Sequence, residues 1–212
     1  GRSRRHRQAM NPDAKVPNAP PLVDPGAVRL AIVGESPGES EQSWCTCASG
    51  HGFARRFWQN RQLATRDRCE RCGSASFVST PRPFVGESGR LLDAILSDSG
   101  LPRERVWVGN VSRTPLNEDQ KNLDYCGPVL PRLAIDLEEF APTLVLCLGG
   151  LSLAAFQPPR FEPSPTKWRG SRFTGTLEGV EYECMAALHP ASILREPSQL
   201  ALLRWAIARA VA

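Results

Sequence analysis

The sequence contains no apolar run long enough to cross a bilayer, which removes membrane-spanning function classes from consideration. Its start shows no charged n-region, apolar h-region and small-residue cleavage site. The chain is therefore expected to work in a reducing cytoplasm rather than as a secreted disulfide scaffold. Histidine is scarce, with three in 212 residues, so each is weighed as a candidate for chemistry. The glycines of Gly34 to Gly38 miss the G-x-G-x-x-G spacing of a dinucleotide-binding turn, which argues against a Rossmann-type nucleotide enzyme.

The bulk composition, 23% charged and 41% hydrophobic, is that of a globular domain, and the length allows one main domain plus an insertion. The net charge of +4 is modest, but its positive residues gather at Arg2 to Arg7 and from Arg55 to Arg71, where they could neutralise phosphates. A solubilising tail and a solvated face would look the same. Residues 1–27 are polar, carry Pro12, Pro17, Pro20, Pro21 and Pro25, and read as a tail or a strap lying on the domain.

Apolar β-branched runs at Val28 to Val33, Val106 to Val111, Leu144 to Leu148 and Tyr182 to Leu188 read as strands. Helical spacing appears over Ser88 to Ser99, Val129 to Phe140, Leu151 to Phe156 and Ser198 to Ala212. Strands alternating with helices predict an α/β fold of three layers, α/β/α, with a central parallel sheet. Ligands in such sheets bind beyond the carboxyl ends of the strands. The informative loops are therefore Gly34-Glu35-Ser36-Pro37-Gly38, Gly109-Asn110-Val111, Gly149-Gly150 and His189-Pro190-Ala191-Ser192.

His189 follows a strand and precedes a proline that fixes the backbone, a placement suited to a rigid hydrogen-bond donor. A structural histidine is the plainer alternative. Asn110 offers a donor and an acceptor to a base edge, or simply caps a loop. Phe84 could stack on a base or pack in the core. Gly34 and Gly38 would admit close backbone approach.

Taken together and in order, these segments resemble the uracil-DNA glycosylase superfamily, especially its bacterial and archaeal family 4 group. Gly34-Glu35-Ser36-Pro37-Gly38-Glu39-Ser40-Glu41 looks like that family's first motif, and Pro83-Phe84-Val85-Gly86-Glu87-Ser88-Gly89-Arg90-Leu91-Leu92-Asp93 like its second block. Val108-Gly109-Asn110-Val111 looks like its asparagine strand and His189-Pro190-Ala191-Ser192-Ile193-Leu194-Arg195 like its last motif. The resemblance spans residues 28–212 and implies a DNA glycosylase acting on bacterial nucleoid DNA. The matched motifs hold no lysine to form a Schiff base, so no lyase step is expected, and a monomer is expected of an enzyme that must approach a long polymer. The resemblance implies that Phe84 stacks on a flipped base, Asn110 reads its pairing edge, His189 stabilises the leaving base anion, and Gly34 to Gly38, with Glu35 and Ser36, contacts base and water. Glu41 would border the base, and Arg169, Ser192 and Arg195 are candidate DNA contacts.

The chain departs from the family in its cysteines. Family 4 members hold an iron–sulfur cluster on four cysteines, of which this chain keeps only Cys126 in a comparable place, so no cluster is expected. Instead, an insertion over residues 43–79 carries Cys45-Thr46-Cys47 and Cys69-Glu70-Arg71-Cys72. Two close pairs about twenty residues apart predict a structural zinc site in a ribbon-like module, with Cys45, Cys47, Cys69 and Cys72 as ligands and His51 in reserve. Cys126, Cys147 and Cys184 read as small core residues. Ser36, where the family 4 pattern usually has alanine, and an Asn110 amide able to face either pyrimidine leave the substrate open. Uracil is one reading; a hydroxymethylated or glucosylated cytosine of phage DNA, excised in defence, is another; a non-catalytic zinc-dependent nucleic-acid-binding module is a third.

Overall fold

The computed structural model describes residues 15–59, 62–156 and 164–212. The basic cluster at Arg2 to Arg7 and the proline at Pro12 lie outside the described residues. In chain order the elements are β1 (Leu30–Gly34), α1 (Glu39–Gln42), β2 (Trp44–Cys47), β3 (Gly52–Ala54), β4 (Arg56–Gln59), β5 (Gln62–Thr65) and β6 (Phe77–Ser79). There follow α2 (Glu87–Asp98), β7 (Trp107–Asn110), α3 (Leu123–Cys126), α4 (Leu130–Phe140), β8 (Leu144–Leu148), α5 (Gly150–Phe156) and α6 (Pro165–Trp168). The chain ends with β9 (Arg172–Leu177), β10 (Val180–Ala187), α7 (Pro190–Arg195) and α8 (Leu200–Val211).

The main sheet has the order β7-β1-β8-β10-β9. β7, β1, β8 and β10 are parallel, with Ile32 registered against Val108 on one side and Leu146 on the other. Successive side chains of a strand face opposite ways, so a strand covered on both faces must be apolar throughout. In β1, Leu30 and Ile32 join Leu92, Ile95, Leu96, Ile193, Leu203 and Ile207 beneath α2, α7 and α8. Ala31 and Val33 face the other way, onto Leu133, Leu137, Leu153 and Phe156 of α4 and α5. This is the expected three-layer α/β arrangement.

β9 adds an edge strand to the expected central parallel sheet: it pairs antiparallel with β10. The cause is a two-residue connection, Glu178-Gly179, with φ of 49° and 85°. Two successive positive φ values make the hairpin turn whose twist matches antiparallel strands.

The opposite edge, β7, is covered by the proline-containing segment before β1. Ala19 and Val108 exchange backbone hydrogen bonds at 2.7 and 2.9 Å, and Val16 is buried. Asn18 anchors this strap: its Oδ1 accepts from Asn110 N–H at 3.2 Å and its Nδ2 donates to Asp136 at 2.7 Å. A Cβ on Gly109 would lie 2.3 Å from Asn18 Oδ1, so glycine there admits the anchor. Between α1 and α2, the insertion folds as a three-stranded antiparallel sheet, β3-β2-β6, with a separate β4-β5 hairpin.

Replacing Asn18 by alanine leaves the Asn110 N–H without its acceptor and is expected to cost about 1–3 kcal/mol of stability. Urea unfolding will show it as a lower midpoint at unchanged slope; an unchanged midpoint would mean the strap is not anchored here.

Candidate functional site

The loops after the parallel strands open onto one cleft of about 1170 Å³. Its walls include residues 35–41 after β1, Phe84 to Ser88 before α2, Gly149 and Gly150 after β8, and His189 to Ser192 after β10. The insertion supplies a further wall with Trp44, Phe53, Phe57, Arg66 and Arg71.

Phe84 is held on both sides of its peptide unit. Its φ of 54° is the left-handed conformation, which a bulky residue adopts only when its surroundings compel it. Arg103 donates to the carbonyls of Phe84 at 2.9 Å and Pro83 at 2.5 Å, and pairs with Asp93 at 3.1 Å. On the other side the Phe84 backbone hydrogen-bonds the Glu41 carboxyl. Gly89 lets the turn close, since a Cβ there would sit 1.8 Å from the Phe84 carbonyl oxygen. Gly34 admits the ring, with a would-be Cβ 2.5 Å from both Phe84 Cζ and Asn110 Oδ1. Asn110 thus lies directly behind Gly34, 4% exposed, with its Oδ1 buried and without a hydrogen-bond partner.

Glu41 is a buried carboxyl, 8% exposed, that also accepts from Gly38 N–H at 3.3 Å. Burial pushes its pKa from 4.5 up to about 7, opposed by the backbone bonds from Phe84 and Gly38 and by the charge of Arg103. One carboxyl therefore joins the loop after β1 to the Phe84 turn.

His189 stands 5.7 Å from Phe84, ring centre to ring centre, with the planes 32° apart. It caps α7: its Nδ1 accepts from Ala191 N–H at 3.1 Å, and its carbonyl accepts from Ser192 Oγ at 2.7 Å. Burial lowers its pKa from 6.5 to about 4, helped by the positive charges of Lys121 and Arg195. At neutral pH the ring is uncharged, and because Nδ1 accepts, its proton is on Nε2.

The remaining expected residues separate. Ser36, Gly38, Ser192 and Arg195 line the cleft. Gly38 has an ordinary extended φ of −94° and open space where a Cβ would be, so its backbone needs no glycine. Glu35 reaches the cleft, but its Oε1 accepts from Leu151 N–H at 3.2 Å in the first turn of α5, where a carboxylate offsets the helix dipole. Arg169 is not among the lining residues and donates to the Thr166 carbonyl. Sequence reasoning missed Arg103, Asn18 and Lys121, whose partners are distant in the chain or reached through loops without periodicity.

The metal ligand set needs one correction. The donor atoms of Cys47, His51, Cys69 and Cys72 lie within 4.8 Å of one another, and Cys45 is not among them. Cys45, two residues before Cys47 on β2, is set apart from these donors. Cys45 instead packs against Phe53 in the core of the insertion, its thiol directed at the Ser43 carbonyl. Separations of 3.6 Å between Cys47 and Cys72 sulfurs and 3.8 Å from Cys69 Sγ to His51 Nδ1 match the edges of a tetrahedron with bonds of about 2.3 Å. The cluster could hold a metal ion. Cys126, Cys147 and Cys184 are buried in the main core.

Two titrations follow. Glu41 binds a proton more tightly folded than unfolded, so its contribution to stability falls as pH rises from about 4.5 to about 7. Glu41→Gln is expected to flatten that fall; an identical pH slope in the variant would contradict the buried acid. NMR of His189 should find the Nε2–H tautomer at pH 7 and titration near pH 4; titration at 6.5 or above would contradict the neutral ring.

The sequence model of the Uracil DNA glycosylase superfamily matches residues 20–211. Over 127 residues the chain is 32% identical to a type-4 uracil-DNA glycosylase of Pyrobaculum aerophilum, a stretch covering 58% of this chain and 65% of that protein. It is 34% identical over 122 residues to a type-4 uracil-DNA glycosylase of Archaeoglobus fulgidus, covering 54% of this chain and 59% of the relative. The matched stretches thus span less than two thirds of these relatives. The superfamily pattern nevertheless runs from the strap beside β7 to the last turn of α8, and on that match the chain belongs to the uracil-DNA glycosylase superfamily.

Proposed function

We propose that the chain excises uracil from DNA by hydrolysing the N-glycosidic bond, leaving an abasic site and an uncut strand. The observation that carries this reading is the neutral His189 beside Phe84, with its one ring proton on Nε2. The relatives' names favour uracil over a hypermodified cytosine and over a non-catalytic module.

In this scheme the target nucleotide is turned out of the strand and its base stacks on Phe84. The unpartnered Oδ1 of Asn110 accepts from uracil N3–H while the amide nitrogen donates to O4. As the bond breaks, its electron pair goes to uracil N1 and negative charge develops on the ring. His189 Nε2–H donates to O2, where that charge accumulates. A neutral donor suits the task because it need not lose a charge interaction when the anion departs. Ser36 orients the water that attacks C1′ of the oxocarbenium-like sugar, the water's proton passing to the departing uracil anion or to solvent. Gly38 leaves space for base and water, and Gly34 admits Phe84 and Asn110 to the pocket's rear. Glu41 forms the adjoining wall, and Glu35 ties the loop after β1 to the first turn of α5. Ser192, Arg195 and Arg169 contact the strand. The chain acts as a monomer, on DNA in the cytoplasm.

Three thiolates and one imidazole are the soft, tetrahedral donor set that suits zinc, which would hold the insertion's loops together. No chemical step passes through it.

His189→Ala is expected to slow single-turnover release of uracil by about 10²- to 10³-fold with DNA affinity little changed, since it removes a donor to the developing anion. Unchanged turnover would remove the assigned role, and strand breaks without alkali would contradict the hydrolytic scheme. Elemental analysis is expected to find about one zinc per chain, retained by Cys45→Ser and lost by His51→Ala with Cys69→Ala. Loss of zinc from Cys45→Ser would restore Cys45 to the ligand set.

A further inference from the structure

The insertion carries one of the chain's two clusters of positive charge. Residues 55–71 hold six arginines against Asp67 and Glu70, a surplus equal to the net +4 of the whole chain. Part of this segment faces the same cleft as Phe84 and His189, through Phe57, Arg66 and Arg71. At about 1170 Å³ the cleft exceeds the roughly 300–1000 Å³ typical of small-molecule pockets, so it has room for more than one flipped nucleoside.

The wall is built rather than merely charged. The Arg66 guanidinium lies 3.7 Å from the centre of the Phe57 ring, and the same guanidinium pairs with Glu70 at 2.5 Å. Arg66 thereby ties the β4-β5 hairpin to the turn between the metal ligands Cys69 and Cys72. Arg71 belongs to that turn. Its backbone hydrogen-bonds the Cys69 sulfur, while its exposed side chain has no ion pair or hydrogen bond among the described residues. An exposed guanidinium without a partner among the described residues, on a turn between two candidate metal ligands and beside a planar aromatic and arginine pair, combines a phosphate contact with a stacking surface.

We propose that the metal-held insertion binds the DNA strand next to the flipped nucleotide: Arg71 holds a flanking phosphate, and the Phe57–Arg66 pair stacks on an adjacent unpaired base. This rests on the glycosylase reading for its choice of DNA as ligand. Bases are free to stack in this way when the flanking strand is unpaired, so single-stranded substrate is favoured. The insertion is then a substrate-binding wall, and metal loading acts on affinity by positioning Arg71.

The test is binding of a uracil-containing single-stranded oligonucleotide, by fluorescence anisotropy across a salt series, to the full metal-loaded chain. Arg71→Ala is expected to weaken binding and to lower the slope of log affinity against log salt by about 0.7, the loss of one single-strand phosphate contact. Phe57→Ala is expected to weaken binding about 5- to 100-fold with the slope retained. Arg71→Lys keeps the wild-type slope. Because Arg71 is exposed, its variant decides the matter even if Phe57→Ala loses metal. Wild-type affinity and slope in a metal-loaded Arg71→Ala would overturn the proposal, as would failure of the wild-type chain to bind DNA. Binding that responds as expected, without uracil release, would overturn the glycosylase reading and leave the wall standing. Release of uracil with unchanged Arg71→Ala binding would do the reverse.

Discussion

The cleft depends on one buried carboxyl. Glu41 lies at the first short helix, yet it bonds both the Gly38 N–H and the backbone of Phe84, which are far apart in sequence. Besides it, these two segments share the backbone hydrogen bond from Arg82 N–H to the Glu41 carbonyl, at 3.3 Å, and packing at Gly34. Arg103 completes the hold by fastening the Phe84 and Pro83 carbonyls and neutralising Asp93. A left-handed phenylalanine is unfavourable in isolation, and this pair of polar clamps over-determines it. The ring that faces the cleft therefore owes its position to residues that do not themselves stack on anything.

The same economy appears at His189. Its Nδ1 serves as the cap of α7, and that use leaves Nε2 as the only donor. Burial and two nearby cations keep the ring neutral, so the tautomer and the charge state have separate physical causes that agree. The parallel strands β1, β7, β8 and β10 place this group, Asn110 and the loop from Gly34 at one end of the sheet. The apolar continuity of the strands is what holds those ends at fixed separations.

The insertion has little core of its own: Cys45, Cys47, Phe53 and Cys69, with Phe77 packed against them. The donors of Cys47, His51, Cys69 and Cys72 lie close enough to hold a metal ion, which would add the order that so small an apolar cluster supplies poorly.

Much of this was legible in the chain itself. Val28 to Val33, Leu144 to Leu148 and the helices after them announce their conformation through local periodicity, and chemistry-bearing residues at strand ends point to one edge of the sheet. β9 escaped because Glu178-Gly179 is a weaker turn signal than Asn-Gly, and because edge strands carry less apolar continuity. The local sequence determined the elements, their order and which loops carry function, since those depend on neighbours a few residues away. Only the tertiary structure decided that His51 rather than Cys45 lies within reach of the Cys47, Cys69 and Cys72 donors, that Asn18 reaches Asn110 across 92 positions, and that Arg103 clamps Phe84. Those outcomes depend on distances between segments that spacing along the chain does not encode.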